Sequence, residues 1–196
     1  MPASAIRAII GLANPGSQYA DTRHNAGAWF IERLARDAMV QLRPERKFNG
    51  DYAKINVAGH DIHLLVPTTY MNHSGKAVAP LAQFFKLKPE QLLVAHDELD
   101  IAPGEARFKQ GGGHGGHNGL RDIIASLGNV RDFHRLRVGI GHPGDAAKVV
   151  NYVLGQPGKS ERIAIDQAID AAANELPLAL EGDWARAMNR LHSQKF

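Results

Sequence analysis

Apolar positions along this chain fall into short runs and one-sided stripes. IRAIIGL (6–12) is a nearly continuous apolar run that stops at Asn14-Pro15-Gly16. So short a run, ended by a turn signal, predicts a strand buried on both faces. Ile31, Leu34, Ala35, Ala38, Met39 and Leu42 then recur at helical spacing and predict an amphipathic helix over about 26–42. YAKINVA (52–58) and DIHLLVP (61–67) flank Gly59-His60 and predict a hairpin. Ser74 is placed to cap a helix carrying Val78, Leu81, Ala82 and Phe85, and Pro80 inside it predicts a kink or a late start.

LLVAH (92–96) predicts a buried strand and EARFK (105–109) an edge strand. Leu120, Ile123, Ile124 and Leu127 mark a helix that begins where the glycine-rich stretch GGGHGGHNG (111–119) ends. HRLRVGIG (134–141) alternates and then turns at His142-Pro143-Gly144. Two further stripes, Ile163, Ala168, Ile169 and Ala172, then Trp184, Ala187, Met188 and Leu191, make the C-terminal third helical. Strands alternating with helices define an α/β fold, and the hairpin requires a mixed sheet flanked by helices. No repeat, low-complexity tract or long linker divides the chain, so residues 1–196 form one expected domain.

Composition narrows the function classes. At 196 residues, 44% hydrophobic and 22% charged, the chain is ordinary for a soluble globular protein. No window is apolar for the ~18–20 residues a membrane span needs, and MPASAIRAII lacks the long apolar region of an export signal. Cysteine is absent, which excludes a disulfide framework, thiolate metal ligands and a cysteine nucleophile, and is compatible with a reducing cytoplasm. A net charge of +3 with a pI near 9.3 permits a polyanionic partner without requiring one.

Open α/β sheets build sites beyond the carboxyl ends of their strands. Those ends carry Asn14, Tyr19 and Thr22-Arg23-His24-Asn25, then Thr69-Tyr70-Met71-Asn72, then Asp97, Glu98 and Asp100, then His114, His117 and Asn118, then His142. The glycine stretch lacks the Lys-Ser/Thr of a P-loop, and GLANPG lacks the middle glycine of a dinucleotide fingerprint. His114 and His117 are separated by two glycines, which leaves a metal-binding turn poorly determined. Histidines that only hydrogen-bond backbone are the simpler reading of that pair. The loop itself suits close approach of backbone N–H groups to an extended substrate, with Asn118 offering a donor and an acceptor. His24 with Asp97 is the candidate catalytic pair, a base for water and a carboxylate that fixes its tautomer. No G-x-S-x-G elbow competes with it.

GLANPG-x-x-Y-x-x-T-RHNAG (11–27), PTTYMN-x-SG (67–75), AHDELD (95–100), GGGHGGHNGLRD (111–122) and FHRLRVGIGHPG (133–144) together resemble bacterial peptidyl-tRNA hydrolases, in order and over residues 6–192. The resemblance implies a monomeric, cytoplasmic α/β enzyme with a mixed twisted sheet. It implies cleavage of the ester joining a peptide to the 3′-terminal ribose of tRNA, without metal or cofactor. It makes His24 the general base on water, Asp97 its support, and Asn14 the residue separating peptidyl from free aminoacyl substrates. Tyr19, Tyr70, Asn72 and Asn118 match positions contacting the tRNA end and the adjoining peptide, and Lys109 and Arg137 match basic residues near the acceptor phosphates. Two departures stand out: Ala13 where many relatives have glycine, and Ala146 where they often have lysine, with Lys148 as a candidate substitute. Two rivals remain: an RNA-binding member of the superfamily without catalysis, and a metal-dependent esterase using His114 and His117.

Overall fold

A computed structural model describes residues 5–196; the first residues of the segment read for an export signal lie outside them. Seven strands form one mixed sheet in the order β2-β3-β4-β1-β5-β7-β6. β1 (Ala8–Gly11), β4 (His60–Pro67), β5 (Leu92–Glu98) and β7 (His134–Gly139) run parallel at its centre. β2 (Arg43–Glu45) and β3 (Gly50–Val57) extend one side antiparallel, and β6 (Ala106–Gln110) closes the other as an edge. The sheet is mixed as the sequence predicts, and the predicted edge strand lies at an edge.

Alternation along the central strands divides the core in two. Ile9, Leu64, Leu93, Ala95, Leu136 and Val138 pack under α1 (Ala26–Asp37), α5 (Lys159–Leu180) and α6 (Trp184–His192). Ala8, Ile10, Leu65, Leu92 and Val94 face α2 (Gly75–Phe84) and α3 (Asn118–Ser126). Each fully buried large aliphatic side chain contributes about 1.5–3 kcal/mol. α4 (Val149–Val153), too short to show a periodicity, stands beyond the carboxyl ends of the strands. Among the described residues no helix is long and apolar enough to cross a membrane.

Several elements end differently from their sequence pattern. α1 stops at Asp37 rather than near residue 42, because Met39 turns left-handed (φ 57°) while Val40 N–H donates to Ala35 O and Met39 N–H to Arg36 O. That is a Schellman closure with methionine where glycine is usual. The hairpin turns at Ala58-Gly59, both with positive φ, one residue earlier than expected, and His60 already belongs to β4. Ser74 does not cap α2. Its hydroxyl donates back to Met71 O, and the Gly75 N–H is satisfied by Asp122 of α3 at 2.7 Å. Pro80 neither delays nor ends α2. The Lys76 carbonyl that its missing N–H leaves free accepts from Asn49 Nδ2 at 2.9 Å. Ile163 is half exposed, and the buried stripe of α5 runs through Ile165, Ala168, Ile169, Ala172 and Leu176 instead.

Candidate active site

Two glycines bring the start of α1 hard against the sheet. A Cβ on Gly11 would lie 2.4 Å from Gly27 O, and one on Gly27 would lie 2.2 Å from Ala95 O. This contact, which only glycine permits, hangs the turn Arg23–Asn25 over the end of β5. Asn25 then pairs with the backbone of Asn14: its Oδ1 accepts from Asn14 N–H at 2.9 Å and its Nδ2 donates to Asn14 O at 3.0 Å. Asn14 is thereby fixed. Its own Oδ1 accepts from Met71 N–H at 2.7 Å, so the amide orientation follows from the network and Nδ2 is left as a donor toward the cavity.

His24 and Asp97 meet as the sequence predicts. Nδ1 of His24 lies 3.0 and 2.9 Å from the two carboxylate oxygens of Asp97, at the end of β5. The ring donates through Nδ1, and Nε2 has no partner among the described residues. Burial alone would lower the His24 pKa, but the charge of Asp97 and its hydrogen bond outweigh it and raise the value above 6.5. Asp97 is 4% exposed. Burial would raise its pKa, yet His24 and His117, by charge and hydrogen bonds, hold the carboxyl well below the usual carboxylate range.

His117 is a partner that the sequence pattern does not reveal, since its simplest reading there is a histidine bonded to backbone only. It does accept from Gly119 N–H (3.1 Å) and Leu120 N–H (3.4 Å) through Nδ1, capping α3. Because Nδ1 accepts, the ring proton sits on Nε2, which donates to Asp97 Oδ1 at 2.8 Å. Asp97 therefore receives two imidazole N–H groups. Behind them His96 donates through Nδ1 to Asp97 O, and burial and the neighbouring His117 push its pKa down to about 3.

The glycine stretch is an ordered loop. Gly111, Gly112, Gly115 and Gly116 have positive φ, which explains the glycine run. Arg135, 2% exposed on β7, reaches under it and donates to Gly113 O at 2.5 Å and Gly112 O at 2.6 Å. His114 accepts from Gly116 N–H at 2.9 Å. The loop forms one wall of a cavity of about 620 Å³ whose lining includes Asn14, His24, Tyr70, Asn72, Asp97 and Asn118. Tyr19 reaches its rim through an edge contact with Tyr70, ring centroids 6.5 Å apart.

Lys109 and Arg137 line a second cavity of about 360 Å³, which shares His96, Glu98, His114 and Gly115 with the first. Arg137 Nε lies 2.9 Å from Glu98 Oε1, so part of its charge is already answered. Ala146 lines the main cavity, whereas Lys148 borders neither cavity. The metal reading on His114 and His117 is corrected as well. Among the described residues, the three groups with ligand atoms within 4.8 Å of one another are His24, Asp97 and His117. Asn25, Met71 and His117 stand among the strand-end residues read from the sequence but without a role there, and Arg135 is not among them. Their roles come through backbone atoms or through neighbours distant in the chain, which sequence position alone does not show.

A cavity at the carboxyl ends of parallel strands, holding a histidine–carboxylate pair with one imidazole nitrogen free, defines an α/β protein equipped as a hydrolase. The profile of the family described as peptidyl-tRNA hydrolase matches residues 8–196. A peptidyl-tRNA hydrolase of Chromohalobacter salexigens is 70% identical over 190 residues, covering 97% of this chain and 98% of the relative. One of Pseudomonas putida is 60% identical over 192 residues, covering 98% and 99%. The crystal structure of peptidyl-tRNA hydrolase from Acinetobacter baumannii superposes with a TM-score of 0.94 at 49% identity, covering 98% of this chain and 97% of that one. This chain belongs to the peptidyl-tRNA hydrolase family.

Proposed function

We propose that this chain hydrolyses the ester between a peptide and the 3′-terminal ribose of tRNA, with His24 as general base, Asp97 as its support and Asn14 as the group that reads the peptide. The observation that carries this reading is the pairing of His24 Nδ1 with buried Asp97, which leaves Nε2 as the acceptor. Water gives its proton to Nε2 as its oxygen attacks the ester carbonyl, and Asp97 stabilises the imidazolium that forms. The tetrahedral oxyanion is met by carboxamide donors, Asn14 Nδ2 foremost. Collapse breaks the bond to the ribose oxygen, which recovers the proton from His24. The products are a peptide acid and a tRNA with a free hydroxyl.

Asn72 and Asn118 line the same cavity and suit peptide carbonyls and N–H groups; Tyr70 and Tyr19 offer aromatic faces to the terminal nucleotide. Lys109 and Arg137 suit the acceptor-stem phosphates, since their cavity adjoins the first. We assign the working form as a cytoplasmic monomer. The second reading, a metal-dependent esterase, would use His24, Asp97 and His117, the three groups close enough to share an ion.

The test compares N-acetyl-aminoacyl-tRNA with unblocked aminoacyl-tRNA, in EDTA, for wild type and His24→Ala. Cleavage of the blocked substrate only, lost in the variant, is the expected result. Abolition by EDTA would favour the metal reading, and tight tRNA binding without cleavage would mark a binding protein.

A further inference from the structure

We propose that Arg23 is a positioning residue that fastens α4, the apolar wall of the main cavity, to the turn carrying His24. The cavity has two chemically different sides. One holds His24, Asp97 and the carboxamides; the other is formed by Val149, Val150, Val153 and Leu154 of α4 and its end, with Ala146 and Leu99. Val150 is 66% exposed, a cost in water that a bound apolar group would remove.

α4 has only five residues and cannot hold itself in place. Arg23 joins it at three points. Its backbone N–H donates to Gly155 O at 2.9 Å, its Nη1 donates to Tyr152 O at 3.0 Å, and its guanidinium lies 3.9 Å from the centre of the Tyr152 ring. The carbonyls at the end of the helix thus receive a cation, the favourable partner for that end. A hydrogen bond and a longer ion pair add to the anchor: Tyr152 OH donates to Ile140 O at 2.6 Å, and Glu161 at the start of α5 lies 3.7 Å from Nη2. The residue next in sequence to Arg23 is His24. Through its side chain and its backbone N–H, Arg23 therefore ties the base to the wall opposite it.

Resting on the reading that the peptide occupies this cavity, the consequence is a role in specificity. The wall contacts the side chain of the residue esterified to tRNA, and Arg23 determines how well it does so. Removing the guanidinium should raise KM for an apolar residue while leaving kcat and its pH profile in place, because the His24–Asp97 pair is untouched.

The experiment measures kcat and KM for N-acetyl-phenylalanyl-tRNA and N-acetyl-glycyl-tRNA in wild type, Arg23→Met, Arg23→Lys and Val150→Ser. For Arg23→Met the expected rise in KM is roughly tenfold with the phenylalanyl substrate, the scale of one charge-assisted hydrogen bond, and under about threefold with the glycyl one. Arg23→Lys should recover part of the loss. Val150→Ser, at an exposed position that does not endanger folding, should reproduce the preference change. Equal KM effects on both substrates, or a lowered Tm with unchanged kinetics, would overturn the role of Arg23. An unchanged phenylalanyl-to-glycyl ratio in Val150→Ser would overturn the apolar wall. Failure of wild type to cleave either substrate would instead strike the proposed function.

Discussion

Asn14 offers its carboxamide oxygen to the backbone N–H of Met71 at 2.7 Å, and this one bond decides which chemistry it presents to the cavity. Oxygen inward means NH2 outward, a pure donor. A donor suits a peptide carbonyl or a developing oxyanion, and it is a poor neighbour for the ammonium of a free aminoacyl group, which has no acceptor to give. Asn14→Asp keeps the shape and the bond to Met71 but turns an acceptor with negative charge toward substrate. We expect kcat/KM on N-acetyl-aminoacyl-tRNA to fall by about 10²–10³-fold and the preference over unblocked substrate to shrink. An unchanged ratio of the two substrates would remove Asn14 from discrimination.

The pH profile follows from the His24 pKa. If His24 acts as the proposed base, its reactive form is the neutral ring, and Asp97 raises its pKa above 6.5 despite burial. Activity should therefore climb as pH rises through a midpoint above 6.5. In Asp97→Asn the charge is gone and burial acts alone, so the midpoint should move below 6.5 while kcat falls by about 10²–10⁴-fold. A lowered rate with an unmoved midpoint would show that Asp97 only orients the ring.

Much of this arrangement is legible in the chain, for reasons that differ by element. The central strands announce themselves as apolar runs because both faces are buried, and many of the polar residues at their ends line the cavity, although Thr22, Thr69 and His142 do not. His24 and Asp97 are readable as a pair because few residues can activate water. What periodicity does not supply is the closing of α1 at Met39, a left-handed residue without glycine, and the uninterrupted helix through Pro80, which depends on Asn49 from another segment. The role of His117 is hidden because its bond to Asp97 joins residues twenty apart, and sequence spacing around glycines says nothing about where the ring points. Its capping of α3 and its grip on Asp97 use opposite nitrogens, a double use visible only in three dimensions.

Acid should weaken the fold through histidines held neutral. His134 is buried, stacks on Trp184 at 4.1 Å and has its pKa pushed down by burial to about 4, Glu90 opposing only in part. The unfolded chain takes up this proton near 6.5 and the folded chain only near 4. The stabilisation is thus complete above 6.5 and is lost as pH falls toward 4. His63, pushed down to about 4, and His96, to about 3, act in the same direction. His134→Phe keeps the stack on Trp184 and removes the titration. Its Tm should fall less than that of wild type between pH 6.5 and 4, measured by circular dichroism, and parallel curves would contradict the assignment.

Asn49 tests how a proline is accommodated inside α2. Pro80 supplies no N–H to Lys76 O, which without another donor is left to water at the exposed surface of the helix. Asn49, itself left-handed at φ 47°, sends Nδ2 to that carbonyl at 2.9 Å, and its backbone O accepts from Thr68 N–H at 3.0 Å. The residue therefore closes α2, the turn before β3 and the end of β4 into one unit. Asn49→Gly keeps the left-handed backbone at no steric cost and removes only the carboxamide. The expected loss is about 1 kcal/mol by urea unfolding, with kcat/KM unchanged because the substitution lies outside the cavity. Restoring a helix donor by Pro80→Ala in the same background should recover most of that loss, since the backbone N–H regained at position 80 then satisfies Lys76 O directly. If the double variant is no more stable than Asn49→Gly, the carboxamide is not the proline's compensation, and the stability of α2 must come from its packing on α3 alone.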